Sequence, residues 1–209
     1  MTTPITSEIP PGFRSALVDY IRTQALPPDK FSHQPRLYHL TTRIGAGMTY
    51  DDDVVFAATW LHDMGVFVGH RPEDPQLLAR WDNVAYVLER APGVLAELGF
   101  PLTKIPAVIE AIRTHQPMDD PCSIEGVILR DADILEQLGA TGILRTVSKV
   151  GRDTRFLTFS DALRVLERNL GTLPGLLRLD STRAVAAPYI ECLRTFIAQA
   201  HAEAGKVAW

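Results

Sequence analysis

Cysteine is scarce in this chain. Cys122 and Cys192 are the only two in 209 residues, which excludes a disulfide-stapled scaffold and a CxxC zinc site. Long hydrophobic runs are missing too. Although 46% of the residues are hydrophobic, no apolar stretch approaches the roughly 20 residues that a membrane helix needs. Nor is positive charge in excess. A formal charge of −4 argues against a protein that coats nucleic acid, because a phosphate backbone is held by clustered cations. The opening MTTPITSEIPPGF has neither the basic n-region nor the apolar h-region of a secretory signal. Alternating strand patterns are nearly absent, as are internal repeats, low-complexity tracts and long linkers. These absences leave the expectation of a cytoplasmic, all-α chain folded as a single helical domain over 1–209, long enough to bury its own core.

What is present is helical periodicity. FRSALVDYIRTQAL (13–26) predicts a first helix, stopped by Pro27 and Pro28. A second is predicted over about 32–47, and a third from the Asp51–Asp53 cap region to about Met64. After the loop GVFVGHRPEDP, one helix is predicted over 76–90, and another ends at His115 where QPMDDP breaks it. Ser123 is placed to cap a helix through Leu138, and ATGILRTVSKV continues after Gly139. Ser160 and Asp161 open a helix to Leu170, and STRAVAAPYIECLRTFIAQAHAEAG reads as a long terminal one. Amphipathic spacing such as Phe159–Leu163–Leu166 fits core packing, with a homodimer interface as the alternative.

The polar residues that break this pattern carry the chemistry. TWLHDMGVFVGH sets His62 and Asp63 side by side at the end of an apolar helical run. Residues spaced i, i+4, i+7 and i+11 share one helix face. By that rule His33 falls with Leu37, Leu40 and Ile44, His62 with Val54, Val55 and Ala58, and His115 with Val108, Ala111 and Ile112. His39 sides with Thr42 and Arg43 and reads as a surface residue. Any one inward histidine is better explained as a core side chain bonded to a backbone carbonyl. Three of them beside Asp63 point instead toward a metal, since imidazole and carboxylate are the usual ligands of Zn, Fe and Mn. EGVILRDADILEQLG adds Asp131 and Asp133. Either they pair with Arg130 or cap a kink, or one completes a coordination sphere. Phase favours Asp131, which lies among Val127, Ile128 and Leu135.

Four ordered blocks, SHQPRLYHL, AATWLHDMG, IEAIRTH and IEGVILRDADILEQLGATGILR, resemble the HD superfamily of metal-dependent phosphohydrolases. The resemblance covers about residues 20–150, with 151–209 read as further helices packed on that core. It implies a helical bundle around one divalent transition metal ion (Mn, Fe, Co, Ni or Zn), held by His33, His62, Asp63 and an aspartate of the DAD stretch. The family places that ligand on the Asp of an AD pair, here Asp133, whereas phase favours Asp131. Both stay open, with Asp133 preferred because a ligand at the rim of a site need not follow core phase.

The implied reaction is hydrolysis of a phosphate ester, on a nucleotide or small metabolite, by a metal-activated water. Asp63 would orient that water, His115 would be a substrate-side acid or hydrogen-bond donor, and Arg36 would bind phosphate. Arg145, Lys149 and Arg152 form a stripe that reads as a solvated face, and His70 and His201 read as structural. One departure stands out. Val66, Phe67 and Val68 occupy the place where many nucleotidases of the family carry an acid that polarises water. Two-metal members add two histidines, of which His115 alone has a counterpart, so one ion is expected. Two readings compete: a hydratase or iron oxygenase on the same scaffold, and a non-catalytic metal-binding module.

Overall fold

The computed structural model describes residues 12–153 and 155–204; the opening segment read for a leader, through residue 11, and Gly205 of the predicted terminal helix lie outside the described residues. Ten α-helices form and no β-strand does among these residues: α1 Phe13–Gln24, α2 His33–Ile44, α3 Asp52–Leu61, α4 Pro75–Leu78, α5 Asn83–Glu97, α6 Ile105–Arg113, α7 Ile124–Leu138, α8 Ala140–Val147, α9 Phe159–Thr172 and α10 Asp180–Ala204. The all-α reading holds. No described helix is long and apolar enough to cross a membrane.

The sequence explains the starts of these helices. Asp51 caps α3 by accepting from the amides of Asp53 and Val54 at 3.1 and 3.3 Å. Predicted as one helix, 76–90 is two. Asp74 accepts from the Gln76 and Leu77 amides and starts α4, while Asp82 accepts from the Ala85 amide and starts α5. Two N-cap aspartates eight residues apart impose two starts, because each satisfies amides that an unbroken helix would bond internally. The helix α9 begins one residue before the predicted Ser160. Thr158 is its N-cap, and Asp161 returns to the Thr158 amide in a capping box.

The described residues divide into two compact units, with the division in the chain between Leu129 and Arg130, inside α7. In the first unit, α3 packs against α1, α2 and α6, and α6 packs in turn against α5. Eight of the ten α3 residues are buried, as expected of a helix apolar on all sides. Around it lie the buried Leu17 and Ile21 of α1, Leu37 and Ile44 of α2, Val87, Ala91 and Leu95 of α5, and Val108, Ala111 and Ile112 of α6. Each fully buried Leu, Ile or Val contributes about 1.5–3 kcal/mol relative to exposure. One polar knot ties three of these helices. Arg14 of α1 reaches Asp52 at 2.7 Å and Asp53 at 2.6 Å on α3, and donates to the Tyr38 hydroxyl of α2 at 2.7 Å.

In the second unit, α9 packs against α8 and α10, burying Leu163, Leu166, Leu193 and Ile197. Asp131, fully buried, accepts from the amides of Arg178 (3.1 and 3.0 Å) and Leu179 (2.8 Å), the residues that lead into α10. Its neighbour Arg130 donates to the Leu176 carbonyl at 2.8 Å.

Candidate metal centre

His33 opens α2, His62 closes α3 as its C-cap, and Asp63 follows in the bridge region of backbone space (φ −100°, ψ 8°). That conformation is sparsely populated and frequent at turns and sites. It turns the chain directly after the His62 cap and brings the carboxylate back toward the imidazoles. The contacts are close. His33 Nε2 lies 3.3 Å from His62 Nε2, Asp63 Oδ2 lies 3.5 Å from His33 Nε2, and Asp63 Oδ1 lies 3.8 Å from His62 Nε2. Both histidines are buried, at 5% and 1% exposure, and Asp63 is half-buried.

The tautomers follow from the partners. His62 Nδ1 is 2.9 Å from the Thr59 carbonyl, and His115 Nδ1 is 2.5 Å from the Ile112 carbonyl. A carbonyl only accepts, so each Nδ1 carries the proton and each neutral ring keeps its lone pair on Nε2. His115, 4% exposed, sets its ring edge-on to His62 with centroids 5.0 Å apart. The donor set therefore fits a cation. Two buried imidazole nitrogens and a carboxylate converge within 3.8 Å, and the His62 ring is anchored through its other nitrogen, as metal-ligating histidines usually are.

The remaining sequence-predicted residues are placed as follows. Arg36 is half-buried on α2, one turn beyond His33, and His39 is exposed. Asp133 is half-buried on α7, and its Oδ2 accepts from Gln137 Nε2 at 3.1 Å. The carboxylate of Asp131 is occupied by backbone amides, so the inward phase seen in sequence reflects a structural anchor. His201 pairs with Glu167 across α9 and α10 at 2.5 Å.

Sequence reasoning missed the groups that hold the turn after Asp63. Trp81 Nε1 donates to the Gly65 carbonyl at 2.8 Å. A Cβ on Gly65 would lie 2.5 Å from the Asn83 carbonyl oxygen, so the glycine is what lets the start of α5 approach. These bonds involve backbone groups, which no side-chain pattern reveals. The glycine itself was the available signal.

The HD domain family model matches residues 31–138, just over half of the chain. No curated protein matches. Among solved structures, Bacillus subtilis YpgQ superposes with a TM-score of 0.73 at 22% identity, covering 94% of this chain and 97% of that one. YpgQ in complex with ADP gives a TM-score of 0.70 at 21% identity, over 93% of this chain and 100% of that one. A predicted HD superfamily hydrolase from an uncultured Thermotogales bacterium gives 0.64 at 24% identity, over 93% and 94%. At these identities the likeness is one of fold.

Proposed function

The chain belongs to the HD-domain family, and we propose that it is a metal-dependent phosphohydrolase acting on a phosphate ester of a nucleotide or small metabolite. Its main support is the buried convergence of His33, His62 and Asp63. Imidazole and carboxylate groups brought this close are the usual ligand set of a divalent transition metal ion. We assign the ligands as His33, His62, Asp63 and, from the family resemblance, Asp133. Asp131 is set aside because backbone amides take up both its oxygens.

The ion, Mn, Fe, Co, Ni or Zn by ligand type, would supply Lewis acidity and a water of lowered pKa. The chain's own residues do the rest. Asp63, partly open to solvent, orients the attacking water with the oxygen not turned to His33. His115 works from Nε2: neutral, it accepts a hydrogen bond, and protonated, it donates one toward the leaving oxygen. Arg36 supplies charge for a phosphoryl oxygen. A nucleotide is favoured over other esters because YpgQ, with the same fold, has been crystallised with ADP.

The purified protein should hold or take up about one equivalent of a transition metal and then release phosphate from a panel of nucleoside phosphates. His62→Ala should lose both properties. No uptake of Mn, Fe, Ni or Zn would defeat the proposal, and uptake without phosphate release from any member of the panel would defeat its phosphohydrolase part.

A further inference from the structure

His70 lies outside the candidate centre, in the segment that follows Asp63. Both of its ring nitrogens are engaged. Nδ1 is 2.9 Å from the Tyr86 hydroxyl of α5, and Nε2 is 2.9 Å from Gln24 Oε1 of α1. Thr23 Oγ1 donates to the Tyr20 carbonyl at 2.7 Å and so accepts from the Gln24 amide nitrogen at 3.3 Å, which places Oε1 toward His70. An amide oxygen only accepts, so Nε2 carries the proton and Nδ1 accepts from Tyr86. The Tyr86 hydroxyl accepts in turn from Arg90 Nε at 3.1 Å. The chain of bonds runs one way, from Arg90 through Tyr86 and His70 to Gln24, and it requires a neutral imidazole.

The same segment is held elsewhere along its length. The Val68 amide donates to the Leu26 carbonyl beyond α1 at 2.9 Å. Trp81 grips Gly65, and the rings of Phe67 and Tyr86 stand edge-on to His70 at 6.1 and 5.7 Å. Residues 64–71 are thereby clamped between α1 and α5, immediately after Asp63.

We propose that His70 is a positioning residue for the Asp63 carboxylate, holding residues 64–71 in place only while its imidazole is neutral. The role at Asp63 rests on the proposed metal centre; the clamp itself does not. A second proton on His70 would make Tyr86 the acceptor of two cationic donors, His70 and Arg90, in half-buried surroundings. Burial, and then the charge of Arg90, lower the His70 pKa below the usual histidine value. The other groups nearby are Tyr20 of α1, whose pKa burial raises, and Arg71, next in the chain; Glu97 acts on Tyr20 and Glu89 on Arg90. Because the folded pKa is the lower one, the unfolded segment binds the proton first. The clamp's contribution is complete above about pH 6.5 and is lost as pH falls through the folded value.

The test uses the full-length, metal-free protein, with the His70 Cε1–H titration followed by NMR alongside amide exchange of residues 66–71. In the wild type, exchange corrected for intrinsic rate should rise at the His70 midpoint, and that midpoint should lie below about 6.5. His70→Gln, a neutral replacement able to keep both bonds, should abolish the pH step and retain wild-type Mn2+ affinity at neutral pH. His70→Leu should expose the segment at every pH and weaken Mn2+ binding about tenfold, the usual scale for an outer-shell support. A pH step that persists in His70→Gln, or a wild-type midpoint at or above the usual value, overturns the clamp. Unchanged Mn2+ affinity in His70→Leu overturns the role at Asp63. Failure of the wild type to bind any ion overturns the metal centre instead, and leaves the exchange step as a readout of the clamp alone.

Discussion

Asp131 and Asp133 stand two residues apart on α7 with different surroundings. Asp131 is fully buried against the amides of Arg178 and Leu179, whereas Asp133 is half-buried and bonded to Gln137. Asp131→Ala leaves two amides without an acceptor. It should lower stability by about 1–3 kcal/mol in urea unfolding while the ion stoichiometry stays that of the wild type. Asp133→Ala should do the reverse, losing the ion at little cost to the metal-free protein. An ion lost from a folded Asp131→Ala variant would move the ligand to that position. Helical phase pointed correctly to Asp131 as inward-facing, but phase reports burial and says nothing of the partner, and its partners lie 47 and 48 residues further along the chain. The histidines show the complementary case. A carbonyl-bonded core histidine and a metal ligand look like rival readings, yet His62 satisfies the first through Nδ1 while its Nε2 stays turned to His33, where the second would need it.

At the scale of elements, the turn from α3 into α5 decides where Asp63 points. It depends on close approach at Gly65, where an added Cβ would meet the Asn83 carbonyl oxygen at 2.5 Å and its Cα at 2.9 Å. These are backbone atoms that cannot swing aside. Gly65→Ala should therefore cost about 1–3 kcal/mol, the range for overpacking a tight site, and should weaken ion binding as the turn shifts. Gly93 in α5 is the control: a Cβ there meets nothing within 4 Å, so Gly93→Ala should stabilise the protein by up to about 1 kcal/mol through helix propensity. Calorimetry of the two variants separates a steric requirement from a general intolerance of substitution. The helices were legible wherever a cap marked them. Asp51 before α3 was recognised as a cap region and does cap. The break between α4 and α5 was also written in the sequence, as Asp74 before Pro75 and as Asp82, but helical period across 76–90 hid it because two short helices can share one apolar phase.

Over the whole chain, the all-α class and the family resemblance were readable because both are local properties of pattern. The division between Leu129 and Arg130 was not, since it falls inside the continuous helix α7, with no proline, glycine or loop to mark it. Where a chain divides depends on which residues pack together over long separations, and period does not encode that. Ion binding is likewise collective, and it gives the broadest test. Anything that binds the folded protein and not the unfolded chain stabilises it by mass action: at a hundredfold excess over Kd the gain is about 2.7 kcal/mol, or about 5–10 °C in Tm for a chain of this size. Mn2+ added to the chelated protein should raise Tm by that amount and EDTA should reverse it. His62→Ala, which removes the ring bonded to Thr59 and facing His33, should melt at one temperature with or without the ion. A Tm that ignores Mn2+ while calorimetric titration shows tight binding would mean that the ion also binds the unfolded chain. It would then not be held by the convergence of His33, His62 and Asp63, which exists only in the fold.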